Sequence, residues 1–182
     1  DFKFNFILAN LIIFIGIITN FYLLYIDKNT QLFDKVGFTF LCVDILQLSC
    51  LIYMTGGIAN PFSIFVIIPT IFSSSNLGFK SNFLLLSITI LIVIFLTFFK
   101  QPLPYPVNEH FHVDGYYYYS IPISLIIALI FLNYFASIFG KESRIRKEAL
   151  NKMEEIMSKE HELLSLGGQA AAAAHSLGTP FS

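Results

Sequence analysis

The chain of 182 residues is 55% hydrophobic and only 13% charged, with a mean hydropathy of +0.71 and a net charge of -1. Twelve charged side chains crowd into residues 141–162 and only eleven are spread over the first 139, too few to cover the surface of a soluble fold. The same numbers exclude disorder over that stretch and a basic nucleic-acid binder. Two cysteines without a paired spacing exclude a disulfide scaffold and a zinc ribbon.

The chain starts at Asp1, with no charged leader and no small-residue cleavage site, so no signal peptide is expected and the N-terminus reads as incomplete. No charge falls between Lys3 and Asp27, and the first span is predicted over 5–26. A second, over 36–54, contains Asp44. An intramembrane carboxylate is a functional candidate by default, although a bond to Gln47 or Ser49 or a place near the headgroups accounts for it equally. Cys42 and Cys50 are eight residues apart, about 12 Å along a helix and too far for a disulfide. They read as small packing residues.

Next comes Gly56-Gly57-Ile58-Ala59-Asn60-Pro61-Phe62. Gly can end one helix in a left-handed cap, while Asn60 and Pro61 suit the start of another. A plain hairpin turn therefore explains the motif without a ligand. The third span is predicted over 62–79, with Ser73, Ser74, Ser75 and Asn76 meeting neighbouring helices. Lys80 marks a turn before the short, uniformly apolar fourth span over 83–99. The loop at 100–118 holds Glu109, His110, His112 and Asp114 among three prolines. It reads as a solvated loop, so no metal site is assigned. Tyr116–Tyr119 anchor the start of a fifth span at 119–139. Each charge-free gap holds a run long enough for a hydrocarbon core of about 30 Å; the span at 83–99 reaches only about 25 Å and should stand nearly upright. Backbone groups in lipid must bond internally, so the spans are helices. The fold class is therefore all-α, a polytopic membrane helix bundle over 1–139.

The basic segment after the fifth span is placed in the cytoplasm. Counting back, the loops at 27–35 and near Lys80 are cytoplasmic, and those at 55–61 and 100–118 face outside. Nine of the eleven basic residues then lie inside, with Lys3 and Lys100 as exceptions. Residues 140–166 form a linker helix. Leu150, Met153, Met157 and Leu164 fall at heptad-like spacing, and Glu148–Lys152 and Glu155–Lys159 are favourable i,i+4 pairs. A solvated amphipathic helix and a signalling coiled coil fit this pattern equally. Residues 167–182 then read LGGQAAAAAHSLGTPFS from Leu166, with His175 directly after five alanines and Pro180 bending the helix one turn later.

The stretch GGQAAAAAHSLGTP at 167–180 resembles the phospho-acceptor box of RegB/PrrB-type redox-sensing histidine kinases. Gly56 to Phe62 fits that family's GGxxNPF loop, about 110 residues earlier and in the family's order. The resemblance implies a homodimeric kinase of the bacterial inner membrane. The family has six spans, so this chain would be a fragment lacking the first span and everything after the start of the dimerisation helix. It also implies that ATP with Mg, held by a catalytic domain outside this chain, phosphorylates His175. The phosphoryl group then passes to a cytoplasmic response regulator. Thr179 would occupy the phosphatase position. Gly56, Gly57, Asn60, Pro61 and Phe62 would contribute to a site for ubiquinone, reached from the lipid. One departure stands out: Ser176 replaces the family's Glu after the histidine. A hydroxyl is a poor base, which predicts slow phosphoryl transfer. Two other readings remain, a transporter-like membrane protein with a helical tail and a degenerate sensor without catalysis.

Overall fold

The computed structural model describes residues 5–26, 34–102 and 114–178, and the described residues contain helices and turns but no strand. The helices are α1 (Phe6–Ile26), α2 (Asp34–Met54), α3 (Ile68–Asn76), α4 (Phe79–Phe98) and α5 (Gly115–Gly178). Two 3-10 segments, Gly57–Ala59 and Pro61–Ile67, connect α2 to α3. The chain divides into two units, 1–140 and 141–182.

In the first unit α2 is central and packs against α1, α3, α4 and both 3-10 segments. Ile45, Ile52, Val66, Leu77, Leu85 and Leu96 form its main apolar core, and Ile58, Val93 and Leu125 a second one. The Gln47 amide lies directly over Gly16 of α1, where a Cβ would come within 1.9 Å of it. The rest of the burial is inverted relative to a water-soluble fold. Ser63, Thr70, Ser73, Asn82, Thr89 and Asn133 are buried, while Phe72, Phe83, Leu91, Phe95 and Phe131 are exposed. Large apolar surface outside and small polar groups at helix contacts are what a lipid solvent selects. The segments Asp34–Met54, Phe79–Phe98 and the first part of α5 are long and apolar enough to cross a membrane. The stretch 6–22 of α1 is also apolar, and Pro61–Asn76 is a shorter apolar segment.

The third segment departs from the expected helix over 62–79. It is 3-10 from Pro61 to Ile67, then α-helical only to Asn76. Pro69 supplies the reason. An α-helix would need the residue 69 N–H for the Phe65 carbonyl, and proline has none. The Ile68 N–H bonds that carbonyl instead, closing a 3-10 turn. The tighter winding also lengthens the segment. Sixteen α-helical residues span about 24 Å, whereas seven 3-10 and nine α residues span about 27 Å, nearer the hydrocarbon thickness.

Two further boundaries shift. The turn before α4 is Leu77–Gly78, so Lys80 sits in the helix's first turn. Gly78 has no side chain to cap α4, and Asp34 substitutes from the start of α2. Its carboxylate accepts from the Gly78 N–H at 2.6 Å and from the Ser81 hydroxyl. At the other end of the bundle α5 begins at Gly115, four residues before the expected span.

The second unit is helical as far as Gly178, and its side chains from Lys141 to Ser176 are exposed. Leu150, Met153, Ile156, Met157, Leu163 and Leu164 present their apolar surface outward. The Glu155–Lys159 pair forms at 2.6 Å, and Glu142–Arg146 forms another at 2.6 Å. The expected Glu148–Lys152 pair does not form. Exposed pairs of long side chains gain too little to hold every one in contact.

Candidate functional site

The turn between α2 and α3 is built by its own sequence. Gly56 has φ 106° and Gly57 φ 61°, left-handed values that end α2 at Met54. An added Cβ at Gly57 would lie 2.7 Å from the Leu96 carbonyl oxygen of α4. Asn60 then caps the segment that follows: its Oδ1 accepts from the Phe62 N–H at 2.9 Å. Its Nδ2 donates to the Thr55 carbonyl at 3.1 Å and to Thr55 Oγ1 at 2.6 Å. Both amide hydrogens are thus committed to Thr55. The expected donor for a ligand is, in this state, the brace of the loop.

Asn60, Pro61 and Phe62 come together along one wall of a groove of about 460 Å³, also lined by Leu48, Leu51, Ile52, Thr55 and Phe65. Phe62 is 60% exposed and stacks on Phe65, with ring centroids 5.7 Å apart. The groove is therefore apolar and aromatic, with one polar edge at Thr55 and Asn60. Gly56 and Gly57 are not among its lining residues; they shape the turn behind it. Beside this turn, the Gln101 N–H donates to the Tyr53 carbonyl at 3.0 Å, and Lys100 Nζ sits 3.9 Å over the Tyr118 ring. That cation–π contact gives Lys100, an exception to the charge pattern, a local partner.

A second cluster lies inside the bundle and joins α3, α4 and α5. Asn82 Nδ2 donates to Asn133 Oδ1 at 3.1 Å, and Asn133 Nδ2 donates back to Asn82 Oδ1 at 3.0 Å. Asn133 Nδ2 also donates to the Thr70 carbonyl at 3.2 Å. Ser73 Oγ donates to Asn82 Oδ1 at 2.8 Å, and the Thr70 and Thr89 hydroxyls meet at 2.5 Å. Asn82 and Asn133 are 7% and 5% exposed. Sequence reasoning expected helix contacts from Ser73 but missed both asparagines. The only available signal was an amide at each of two otherwise apolar stretches.

Asp44 is half-buried and bonds neither Gln47 nor Ser49; the Ser49 hydroxyl turns to the Ile45 carbonyl of its own helix. Cys42 and Cys50 are free thiols. In the second unit His175 and Ser176 are exposed near the end of α5. The Ser176 hydroxyl donates to the Ala173 carbonyl of its own helix at 2.9 Å. Thr179, Glu109, His110 and His112 lie outside the described residues.

A transmembrane family matches residues 2–149, the whole bundle and the start of the exposed helix; it is described as the PilS-like transmembrane domain. The chain belongs to that family. It is also similar to the sensor histidine kinase RegB of Cereibacter sphaeroides, 30% identical over 153 residues. That match covers 84% of this chain and 33% of the relative. Another RegB sequence from the same organism is 29% identical over 89 residues, covering 49% of this chain and 19% of the relative. The chain thus spans a third or less of the curated relatives it matches. No solved structure matches it. This PilS-like chain is a membrane protein, and the match to RegB supports the resemblance read from the two motifs.

Proposed function

We propose that this PilS-like bundle is the sensor portion of a membrane histidine kinase that responds to the redox state of quinone in the surrounding lipid. Its output is phosphorylation of His175 from ATP, followed by transfer to a response regulator. The observation that carries the reading is the groove at Asn60–Phe65. Its apolar, aromatic walls suit a quinone ring and tail, and its polar edge suits a ring carbonyl. Binding there has a definite chemical consequence. A carbonyl oxygen that takes one Asn60 Nδ2 hydrogen displaces a Thr55 acceptor and loosens the brace of the loop. Reduction turns that carbonyl into a hydroxyl, which donates and no longer competes in the same way. The two redox forms therefore act differently on one amide. The similarity to RegB favours this reading over a transporter.

At the other end, His175 meets the general requirements of a phospho-acceptor: an exposed imidazole on a helix that a catalytic domain can approach. The Ser176 hydroxyl supplies no base, so transfer at His175 is slow. The reading places residues 140–182 in the cytoplasm, on the side where ATP and the regulator reside.

Photolabelling tests the groove directly. The full-length protein in lipid nanodiscs is exposed to an azido-ubiquinone, and the labelled peptides are mapped. The label is expected within residues 48–65. Phe62→Ala, which removes an aromatic wall, is expected to weaken labelling about tenfold. Label confined to other segments, or labelling indifferent to Phe62→Ala, contradicts the quinone site.

A further inference from the structure

We infer that the Asn82–Asn133 pair is the joint through which the occupied groove acts on α5, with Asn133 as the positioning residue; this rests on the groove being a ligand site. The buried line of α5 consists of Pro122, Leu125, Leu129, Asn133 and Gly140. Among the described residues, Asn133 is the one buried polar side chain on that helix. The apolar members of the line can slide against their neighbours at little cost, because dispersion contacts are undirected. Asn133 cannot, because its amide is fixed by directed bonds to two different helices.

Those two helices carry different information. The bonds to Asn82 tie α5 to α4. The bond from Nδ2 to the Thr70 carbonyl ties it to α3. Thr70 lies three residues beyond the 3-10 segment Pro61–Ile67, whose first turn is capped by Asn60. Pro69 keeps that segment from winding as α-helix, so a 3-10 stretch capped by Asn60 runs without a break into the first turn of α3, where Thr70 lies. A ligand that frees Asn60 from Thr55 moves one end of that stretch. At the other end, the interhelical bonds of α3 to α5 and α4 are those of Thr70 and Ser73. Two discrete arrangements follow. In one, seen here, Asn133 holds α3 and α4 together. In the other, the Thr70 bond is released while the reciprocal amide pair with Asn82 persists, and α5 stays with α4 alone. Losing a directed bond in a low-dielectric interior makes the choice between them discrete. The consequence passes to α5, the helix that also carries His175.

The test uses the full-length protein in nanodiscs, with oxidised and reduced short-chain ubiquinone as probes. Two quantities are read: quinone affinity, and the ratio of radiolabel at His175 between the two redox forms. The double variant Asn82→Leu/Asn133→Leu replaces both amides with apolar groups of similar shape, and the Ser73 hydroxyl keeps the Thr70 carbonyl as its acceptor. It is expected to bind quinone within about twofold of the parent, while the labelling ratio falls to unity. Thr70→Val removes the equally buried Thr70–Thr89 hydroxyl bond but keeps the Thr70 carbonyl, and its ratio is expected to match the parent. A double variant that still responds to redox state overturns the inference and leaves the quinone reading intact. A double variant that loses quinone binding also overturns it, because the pair would then build the groove and not report on it. A parent protein that neither binds nor responds overturns both.

Discussion

Before Gly140, α5 turns Ile123, Ile127, Phe131 and Tyr134 outward and buries Asn133. After it, the outward residues are Lys, Arg and Glu interleaved with Leu150, Met153, Met157 and Leu164. The two stretches are equally helical, but the first buries one face, Asn133 included, whereas the second leaves every described side chain exposed. In the first, the solvent is hydrocarbon, so apolar side chains face out without penalty and directed polar bonds hold helices together. In the second, the solvent is water, and an apolar stripe at heptad spacing is a surface that gains by meeting another helix. The difference explains why the bundle's stability rests on close approach and hydrogen bonds, whereas the exposed stretch rests on helix propensity and local pairs.

Substitutions that test that contrast have effects of decreasing size. Gly57→Val should be the most damaging. It forces a β-branched residue to φ 61° and drives a Cβ into the Leu96 carbonyl. Left-handed strain and overpacking together predict a loss of about 3 kcal/mol, read as a lowered midpoint in detergent-resistant unfolding. A parent-like midpoint would mean that the close approach to α4 is unimportant. Asp34→Ala removes both acceptors at the start of α4. The expected cost is about 1 kcal/mol, typical of a lost N-cap, and Asp34→Asn should recover part of it. Glu155→Gln keeps nearly the same helix propensity, breaks one exposed pair in the second unit and should cost about 0.3 kcal/mol. Circular dichroism of the isolated 141–178 peptide at low and high salt checks this. A larger loss would show that the exposed helix depends on charge pairs more than its surroundings imply.

Much of the bundle was legible in the charge-free gaps, because a charge inside a span is costly wherever it falls. The fourth helix, though it starts at Phe79 and not at 83, and the turn at Gly56–Pro61 needed only composition and the known habits of Gly, Asn and Pro. The third segment was misread over its first half, 61–67, because its winding there depends on one missing N–H, at Pro69. A hydropathy pattern cannot register that. The interior was not legible either. Asn82 and Asn133 are 51 residues apart, and Asp34 and Ser81 are 47 apart. Each is an ordinary polar residue until the fold joins it to its partner. At the candidate site, Asn60, Pro61 and Phe62 were visible as a motif. That both Asn60 hydrogens brace Thr55 was not, since a turn residue and a ligand donor look alike in sequence. His175 stood out through the resemblance of the whole stretch 167–180; the alanine run alone reads equally as a helix ending in a polar surface residue.

The central claim is that the lipid-embedded bundle governs phosphate at one imidazole. Its most direct measurement is radiolabel incorporated at His175 from labelled ATP by the full-length protein in nanodiscs, with ubiquinone held fully oxidised and then fully reduced. The account predicts label that is lost in His175→Ala and that differs between the two redox conditions in the parent. Label absent from position 175, or present in equal amounts under both conditions, would contradict it.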